Sequence, residues 1–437
     1  MDRLPPEIIS NIVHHVEEGS LAPLSVLCRR WQPIVEARIY RELHISRVRP
    51  GAQTLRKSIR YPSYEKLASN LTPTRLSYIR HLHVEIYVYG SGFSVTSTDI
   101  IRQIFDLLTL VPHKQEPLLN LHFNLRGFFN DFFEPDSRSS GSFESPPSGL
   151  PELPMVRSCQ LKNGWPGPGP GFPPRALFYM ASKMPRLRTL DVITWDIESI
   201  HQRVELARSL TDLPTSIHGF FFRFLQSDNS DGLLVMENGE DILTRELRRF
   251  SQREGLKYFL FSGCVELSIF WPPDSATSEP RYWPTLEAFH ILFRHPQHLA
   301  SLHATESPDD TQDTSDSDTE SLDDAQDAND SDTGSPDDTQ DANISDRIEV
   351  HKGIMNASFR ALAKCSACMP KAKVNYIYFG DTWCTYFTYC TMLPGDPCVI
   401  VNGESDFELD EETVDEWRKT AEVHNLDFRM LIGEVPE

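Results

Sequence analysis

Long apolar runs are missing from this chain of 437 residues. No window approaches the roughly 18 uninterrupted apolar residues that a membrane-spanning helix requires, and no apolar segment follows a basic start as in a secretory signal. The eight cysteines are unevenly spaced, which is typical of reduced thiols and not of a disulfide framework. These absences predict a protein of the cytoplasm or the nucleus that does not act at a membrane.

The motifs of common catalytic and metal centres are missing as well. The sequence has no glycine-rich phosphate loop, no GxSxG elbow and no HExxH motif. Cys365 and Cys368 have the spacing of half a zinc site, but a structural zinc site needs a second ligand pair. The nearest other thiols, Cys384, Cys390 and Cys398, stand singly. The sequence therefore predicts no metal, no cofactor and no enzymatic activity.

Acidic charge is concentrated in one segment, whereas basic charge forms no stripe along the sequence. The net charge is −21, and 16 acidic residues without any Lys or Arg lie between Glu306 and Asp346. A 14-residue unit repeats there from Ser307, Ser321 and Ser335, with almost no apolar residue to bury. Such chains stay disordered because burial cannot offset the entropy lost on ordering. Residues 305–347 are therefore predicted to be a disordered acidic insert, and no nucleic-acid partner is expected.

The first 45 residues have the apolar pattern of three short helices. Apolar residues recur there at the spacing of one helical face. They are Ile8, Ile9, Ile12, Val13 and Val16, then Leu24, Leu27, Cys28 and Trp31, then Ile34, Val35, Ile39, Tyr40 and Leu43. Three helices this short bury little surface by themselves, so they form either the first layer of a larger core or a piece that docks on another protein.

Three blocks of this segment resemble the F-box of filamentous-fungal F-box proteins. The blocks are Leu4-Pro5-Pro6-Glu7-Ile8, Leu27-Cys28-Arg29-Arg30-Trp31-Gln32 and Tyr40-Arg41-Glu42-Leu43-His44-Ile45. The resemblance implies a three-helix F-box domain over residues 1–46. It also implies a function, because F-box proteins are the substrate receptors of SCF-type ubiquitin ligases. Their F-box binds a Skp-type adaptor, which is joined to a cullin.

The resemblance further implies which residues face the adaptor. These are Leu4, Pro5, Ile8, Ile12, Leu24, Leu27 and Trp31. The alternative is that the same side chains form an internal core, which suits Trp31 best. For Leu4 and Pro5 we expect burial by a partner.

Beyond the F-box segment one short pattern recurs, with apolar residues at its first, fourth and sixth positions. Its copies begin at Ile79, Leu118, Leu187, Ile217, Leu256, Leu286 and Val374. The alternation within each copy is typical of a strand, and helical patterns lie between most copies. Strands that alternate with helices predict an α/β fold with a parallel sheet backed by helices. We expect an irregular leucine-rich-repeat-like solenoid, with a single open α/β sheet as the alternative.

The predicted domains are the F-box at 1–46, the leucine-rich-repeat-like domain at 75–304, the insert at 305–347, and the rest of the repeat domain with its cap at 348–437. In a solenoid, the residues between the buried ones line a concave sheet. Phe221, Tyr258, Tyr376 and Tyr378 are predicted to bind a protein substrate there, because aromatic side chains are good anchors for a partner. Burial under the C-terminal segment or under long loops is the alternative.

These patterns predict a non-catalytic substrate-recognition subunit of an SCF-type ubiquitin ligase. Its partners would be a Skp-type adaptor, a cullin through that adaptor, and an unidentified protein target. Two alternatives stay open. One is an F-box-containing scaffold that acts without ligase activity, and the other is an enzyme or small-molecule binder whose site lies in the body of the chain.

Overall fold

The computed structural model describes residues 4–17, 20–26, 29–47, 70–89, 94–112, 117–128, 149–163, 174–195, 200–225, 234–272, 281–293, 339–379, 385–391, 398–402 and 408–432. Within these ranges, a group of short N-terminal helices precedes a large, mostly parallel sheet with helices between its strands. No helix of the described ranges is both long enough and apolar enough to cross a membrane.

Residues 4–41 contain the helices α1 (Pro6–His15), α2 (Leu21–Ser25) and α3 (Gln32–Ile39). Prolines begin α1 and follow the first residue of α3, where a missing N–H breaks no helical hydrogen bond. The three helices enclose a small core of their own, made of Ile9, Val13, Leu21, Trp31 and Val35. We refer to these residues as the N-terminal core.

The third helix is shorter than the apolar pattern predicted. It ends at Ile39, and Leu43 lies on strand β1 (Glu42–Arg47), which pairs in parallel with β2 (His81–Tyr89). Placing Leu43 on a helix was wrong, because Leu43 and Ile45 alternate as the inward side chains of a strand. The sheet therefore begins within the predicted F-box segment, residues 1–46, and before residue 75, where the repeat domain was predicted to begin.

The remaining strands follow one another along the chain. They are β3 (Leu119–Phe128), β4 (Val156–Asn163), β5 (Thr189–Trp195), β6 (Gly219–Leu225), β7 (Met236–Glu237), β8 (Glu240–Asp241), β9 (Tyr258–Gly263), β10 (Ala288–Phe293), β11 (Val374–Phe379), β12 (Thr385–Cys390), β13 (Cys398–Asn402) and β14 (Arg429–Ile432). β7 and β8 form a separate hairpin, and the other described strands form one sheet in chain order. From β1 to β11 all neighbours are parallel, whereas β12 and β13 each run antiparallel to the strand before.

Helices lie between most of the parallel strands. They are α4 (Pro73–Leu76), α5 (Ser94–Thr109), α6 (Pro174–Ser182), α7 (Ile200–Ser209), α8 (Ile242–Ser251) and α9 (Thr339–Ala367), with α10 (Glu411–Val423) before the last strand. α7 contacts both α6 and α8. The prediction of a mixed α/β fold with a large parallel sheet is confirmed; a leucine-rich-repeat solenoid remains a prediction.

Two copies of the apolar pattern were missed. One is Tyr40-x-x-Leu43-x-Ile45, which leads into β1, and the other is Val156-x-x-Cys159-x-Leu161, which forms β4. Cys159 is buried opposite Leu121 of β3 and Leu190 of β5, at a position where the other copies up to β10 have leucine or phenylalanine. Residues Val156–Asn163 therefore form a strand of the sheet that the sequence pattern did not predict.

The pattern predicted for the last copy begins two residues later than the strand register requires. Phe289 of β10 pairs with Asn375 of β11, so Asn375 occupies the fourth position of that copy. Asn375 is fully buried, and its Nδ2 donates a 2.6 Å hydrogen bond to Ser366 Oγ of α9. This otherwise apolar position tolerates a polar side chain because the amide NH₂ group of Asn375 has a hydrogen-bond partner there.

Strand β6 shows how the two faces of the sheet differ. Phe220, Phe222 and Phe224 are buried on the helix side, where the ring centroid of Phe178 lies 5.5 Å from that of Phe222. Phe221, which lies between Phe220 and Phe222 in the sequence, is half-buried on the opposite face. The same alternation holds in β10 and β11. We refer to the side opposite the helices, where most described side chains are half-buried or exposed, as the open face.

Part of the predicted disordered insert is helical. Residues 305–338 lie outside the described residues, but α9 begins at Thr339. The assignment of residues 339–347 to disorder was therefore wrong.

At the far end of the sheet, Trp417 of α10 is buried, with its ring 4.9 Å from Phe387 and 5.1 Å from Tyr389.

Candidate functional site

Helix α1 has apolar side chains on two sides. Ile9 and Val13 are buried in the N-terminal core, whereas Ile8 and Ile12 are 46% and 39% exposed. Ile8 and Ile12 are four residues apart, so they lie next to each other along the helix. Adjacent exposed apolar side chains of this size indicate an interaction surface more strongly than single ones do.

The start of α1 extends this surface. The carbonyl oxygen of Pro5 accepts the backbone N–H groups of Ile8 and Ile9, each at 3.1 Å, which fixes the first turn. Pro5 is exposed three residues before Ile8, while Leu4 is half-buried against the N-terminal core. We refer to Pro5, Ile8 and Ile12 as the α1 apolar surface.

The other residues predicted to bind the adaptor have different surroundings. Leu24 is half-buried against the N-terminal core, and Trp31 is a member of that core with 6% of its surface exposed. Leu27 lies outside the described residues. Trp31 and Leu24 therefore hold the three helices together, which is the alternative that the sequence left open.

An ion pair joins these helices to the sheet. Arg75 Nη2 of α4 donates a 2.8 Å hydrogen bond to Glu36 Oε1 of α3, which also accepts one from Gln32 Nε2 at 3.1 Å. The guanidinium of Arg75 lies 5.2 Å from the ring centroid of Tyr40. The hydrogen bond from Arg75 holds the pKa of Glu36 below its usual value, against the opposing effect of burial. The pair is therefore charged at neutral pH.

Three histidines are stacked on the open face. His44, His83 and His122 occupy matching register positions on β1, β2 and β3. Their ring centroids are 4.4 and 4.5 Å apart, with interplanar angles of 5° and 11°. Matching positions on parallel strands lie about 4.8 Å apart, so the register itself produces the stack.

The histidine stack continues as a chain of polar contacts. His122 Nδ1 is hydrogen-bonded to Gln160 Oε1 of β4 at 3.1 Å, and Gln160 Nε2 donates to Asp191 Oδ2 of β5 at 2.7 Å. Arg223 Nη2 of β6 donates to Asp191 Oδ1 at 2.9 Å. Sequence analysis did not single out Gln160, Asp191 or Arg223, because no local pattern shows the register in which neighbouring strands pair.

Glu42, beside the stack on β1, adds a carboxylate to the histidines. Its Oε1 lies 3.1 Å from His44 Nε2 and 3.4 Å from His83 Nε2. The hydrogen bond with His44 lowers the pKa of Glu42. Burial, and then the positive charge that nearby histidines would carry, lower the pKa of His83. Among the described residues, these three are a group that could hold a metal ion.

The four aromatic residues predicted to bind a substrate all lie on the open face. Phe221 of β6 is next to Asp191 in register, and Tyr258 of β9 is 43% exposed. Tyr376 and Tyr378 of β11 are half-buried. The open face is thus mostly polar across β1 to β5, whereas β6, β9 and β11 place aromatic side chains on it.

Basic residues line up where the strands begin, although the sequence shows no basic stripe. Three backbone hydrogen bonds connect them in chain order. Arg188 donates its N–H to the carbonyl oxygen of Arg157, His218 donates to that of Arg188, and Lys257 donates to that of His218. The fold therefore aligns residues that are 30 to 40 positions apart. Within this row, the ammonium group of Lys257 pairs with Glu287 at 3.2 Å, which neutralises part of the charge.

A buried ion pair stabilises the β7–β8 hairpin and the start of α8. Arg203 donates to both carboxylate oxygens of Asp241, at 2.8 and 2.6 Å, and both side chains are buried. Asp241 also accepts the backbone N–H groups of Thr244 and Val235. Burial opposes ionisation of Asp241, but the Arg203 contact and these hydrogen bonds outweigh it and lower the pKa. All these partners belong to the chain, so the arrangement is structural.

The CxxC pair does not form an exposed thiol site. Cys365 is buried within α9, and Cys368 is half-buried just after it. Burial raises the pKa of both thiols. A protonated thiol is a poor nucleophile and a poor metal ligand.

Residues 1–46 match the family model described as F-box-like. The match spans α1, α2 and α3 and nearly all of β1. An F-box-like domain therefore contains the α1 apolar surface, and F-box domains bind Skp-type adaptors in SCF complexes. The chain matches no curated protein.

Proposed function

We propose that this chain is a non-catalytic substrate receptor of an SCF-type ubiquitin ligase and binds a Skp-type adaptor through its F-box-like domain. The observation that carries the proposal is the exposure of Ile8 and Ile12 on a helix whose other apolar side chains are buried. Burying an isoleucine side chain contributes about 1.5–3 kcal/mol. Because Ile8 and Ile12 are already more than half covered, a partner over the α1 apolar surface, with Leu4 at its edge, would gain roughly half of this free energy for each isoleucine.

The sheet would present the target. We propose that the body is a leucine-rich-repeat-like solenoid, which accords with its parallel strands in chain order. Phe221, Tyr258, Tyr376 and Tyr378 would then contact the protein substrate, since aromatic side chains often dominate binding energy at interfaces. The mechanism would be proximity: the receptor raises the effective concentration of its target near the ubiquitin-charged enzyme.

Affinity capture of the full-length chain tests this proposal. Wild type should recover a Skp-type adaptor, a cullin and further proteins bound to the body. A Leu4→Ala/Pro5→Ala variant should lose adaptor and cullin while it retains the further proteins. Adaptor without cullin would instead indicate a scaffold, and no adaptor at all would contradict the proposal.

A further inference from the structure

A distinctive cluster lies on the first two strands of the sheet. Glu42 and His44 are two residues apart on β1, so both point to the open face, and His83 is paired with His44 in register on β2. One carboxylate oxygen and two imidazole nitrogens lie within 4.8 Å of one another. Sequence analysis predicted no metal site, because His83 lies far along the chain from the other two residues.

We propose that Glu42, His44 and His83 form a binding site for one divalent transition-metal ion of the Zn²⁺ type. Zn²⁺ is bound by imidazole nitrogen and carboxylate oxygen at about 2.0–2.2 Å. In a tetrahedron with bonds of that length, two ligand atoms are about 3.3 Å apart. The carboxylate oxygen lies 3.1 and 3.4 Å from the two nitrogens, which matches this spacing. Water completes the coordination.

The three side chains can be reached from solution. Their exposed fractions are 57% for Glu42, 45% for His44 and 30% for His83. An ion would displace the proton of the Glu42–His44 hydrogen bond, because ligands bind metal in their deprotonated form. The rings are stacked nearly parallel, so the more exposed His44 ring must turn for both nitrogens to converge on one ion, while the His83 ring stays stacked on His122.

The surroundings hold His83 in place. His122 stacks on His83 at 4.5 Å and is itself hydrogen-bonded to Gln160. Contacts of this kind orient the ligands of metal sites. On the same strand, His81 is paired with Asn120 through Nδ1 at 3.3 Å. His81 thus lies two residues from a ligand without belonging to the cluster, which makes it a matched control.

The ion would link β1 to its neighbour. β1 is at the edge of the sheet and follows directly from the F-box-like helices, and β2 is the strand of the sheet with which it pairs. A ligand that binds only the folded state stabilises that state. A metal held by both strands would therefore strengthen the attachment of the F-box-like helices to the sheet. This site does not depend on the ligase function proposed above.

The test is calorimetric titration of Zn²⁺ into the chelator-treated, untagged, full-length chain, with excess Mg²⁺ to occupy the acidic segment at 306–346. Glu42→Gln, His44→Gln and His83→Gln are the ligand variants. His81→Gln and Cys368→Ser are the controls for other histidines and for thiols. We expect one ion per chain in wild type and in both controls, and at least a roughly tenfold weaker affinity in each ligand variant.

Thermal unfolding supplies a second measurement on the same samples. Zn²⁺ should raise the melting temperature of wild type more than that of Glu42→Gln at the same concentration, while the metal-free proteins melt alike. Glu42→Gln preserves the size of the side chain, so it keeps the test meaningful if a histidine variant folds poorly. The proposal is wrong if wild type binds no ion stoichiometrically, or if Glu42→Gln binds Zn²⁺ as wild type does.

Discussion

Arg75 of α4 donates a 2.8 Å hydrogen bond to Glu36 of α3 and so connects the F-box-like helices to the sheet. The chain also runs from α3 into β1 within three residues. A covalent link and a charged one thus act at the same junction. If the chain is the receptor proposed above, this junction would keep a target on the open face in a defined position relative to the adaptor.

Replacing Arg75 with methionine should destabilise this junction by about 1 kcal/mol at pH 7, since it removes a charged hydrogen bond and keeps most of the apolar side chain. The pKa of Glu36 is lowered in the folded state, so the pair stabilises above the usual glutamate pKa of about 4.3. That contribution is lost as the pH falls through the folded-state pKa. Urea unfolding of Arg75→Met and wild type should differ at pH 7 and converge in acid. Arg418→Met, at an exposed pair with Asp415, should change little at either pH.

Replacing Asp241 with asparagine should cost about 3–5 kcal/mol, because it removes the carboxylate that accepts two hydrogen bonds from the buried guanidinium of Arg203. The substitution preserves the shape of the side chain, so the loss reflects charge and hydrogen bonding. Thermal or urea unfolding measures the loss of folding free energy. Asp212→Asn, at an exposed position, is the control and should change the stability little. A loss below about 1 kcal/mol would show that this ion pair does not stabilise the fold as its burial indicates.

The neighbours Phe221 and Phe222 of β6 should behave in opposite ways. Phe222→Ala removes a buried ring that packs on Phe178 and should cost about 3–5 kcal/mol of folding free energy. Phe221→Ala lies on the open face and should leave the unfolding midpoint nearly unchanged while it reduces capture of a target protein. Equal destabilisation by both variants would contradict the assignment of the two faces.

Elements with a strong local signal could be predicted from the sequence. Alternating apolar residues marked β2, β3, β5, β6, β9 and β10, and helical periodicity marked α5, α6, α7 and α8, because side-chain periodicity reports which face is buried. The signal failed where one residue broke the pattern. β4 was not predicted because Cys159 stands where other copies have leucine or phenylalanine. The pattern for β11 was placed two residues too late because Asn375 stands at an apolar position. A buried thiol and a hydrogen-bonded amide can replace leucine in this way.

Features created by pairing between distant segments could not be predicted. The His44–His83–His122 stack and the Arg203–Asp241 pair depend on register and on tertiary packing, which no local pattern encodes. Among the residues predicted to bind the adaptor, the sequence could not separate exposed Ile8 from buried Trp31. Exposure depends on how the three helices pack, and only the structure shows that.

The most direct test of the central claim measures the affinity of a purified Skp-type adaptor for the full-length chain by calorimetry. In an Ile8→Asp/Ile12→Asp variant, two apolar contacts are replaced by charges, and we expect the Kd to rise at least about a hundredfold. Ser10→Asp lies on the opposite flank of the exposed side of α1 and should bind nearly as wild type does. If Ile8→Asp/Ile12→Asp folds and still binds the adaptor with wild-type affinity, the α1 apolar surface is not the adaptor-binding site and the account fails.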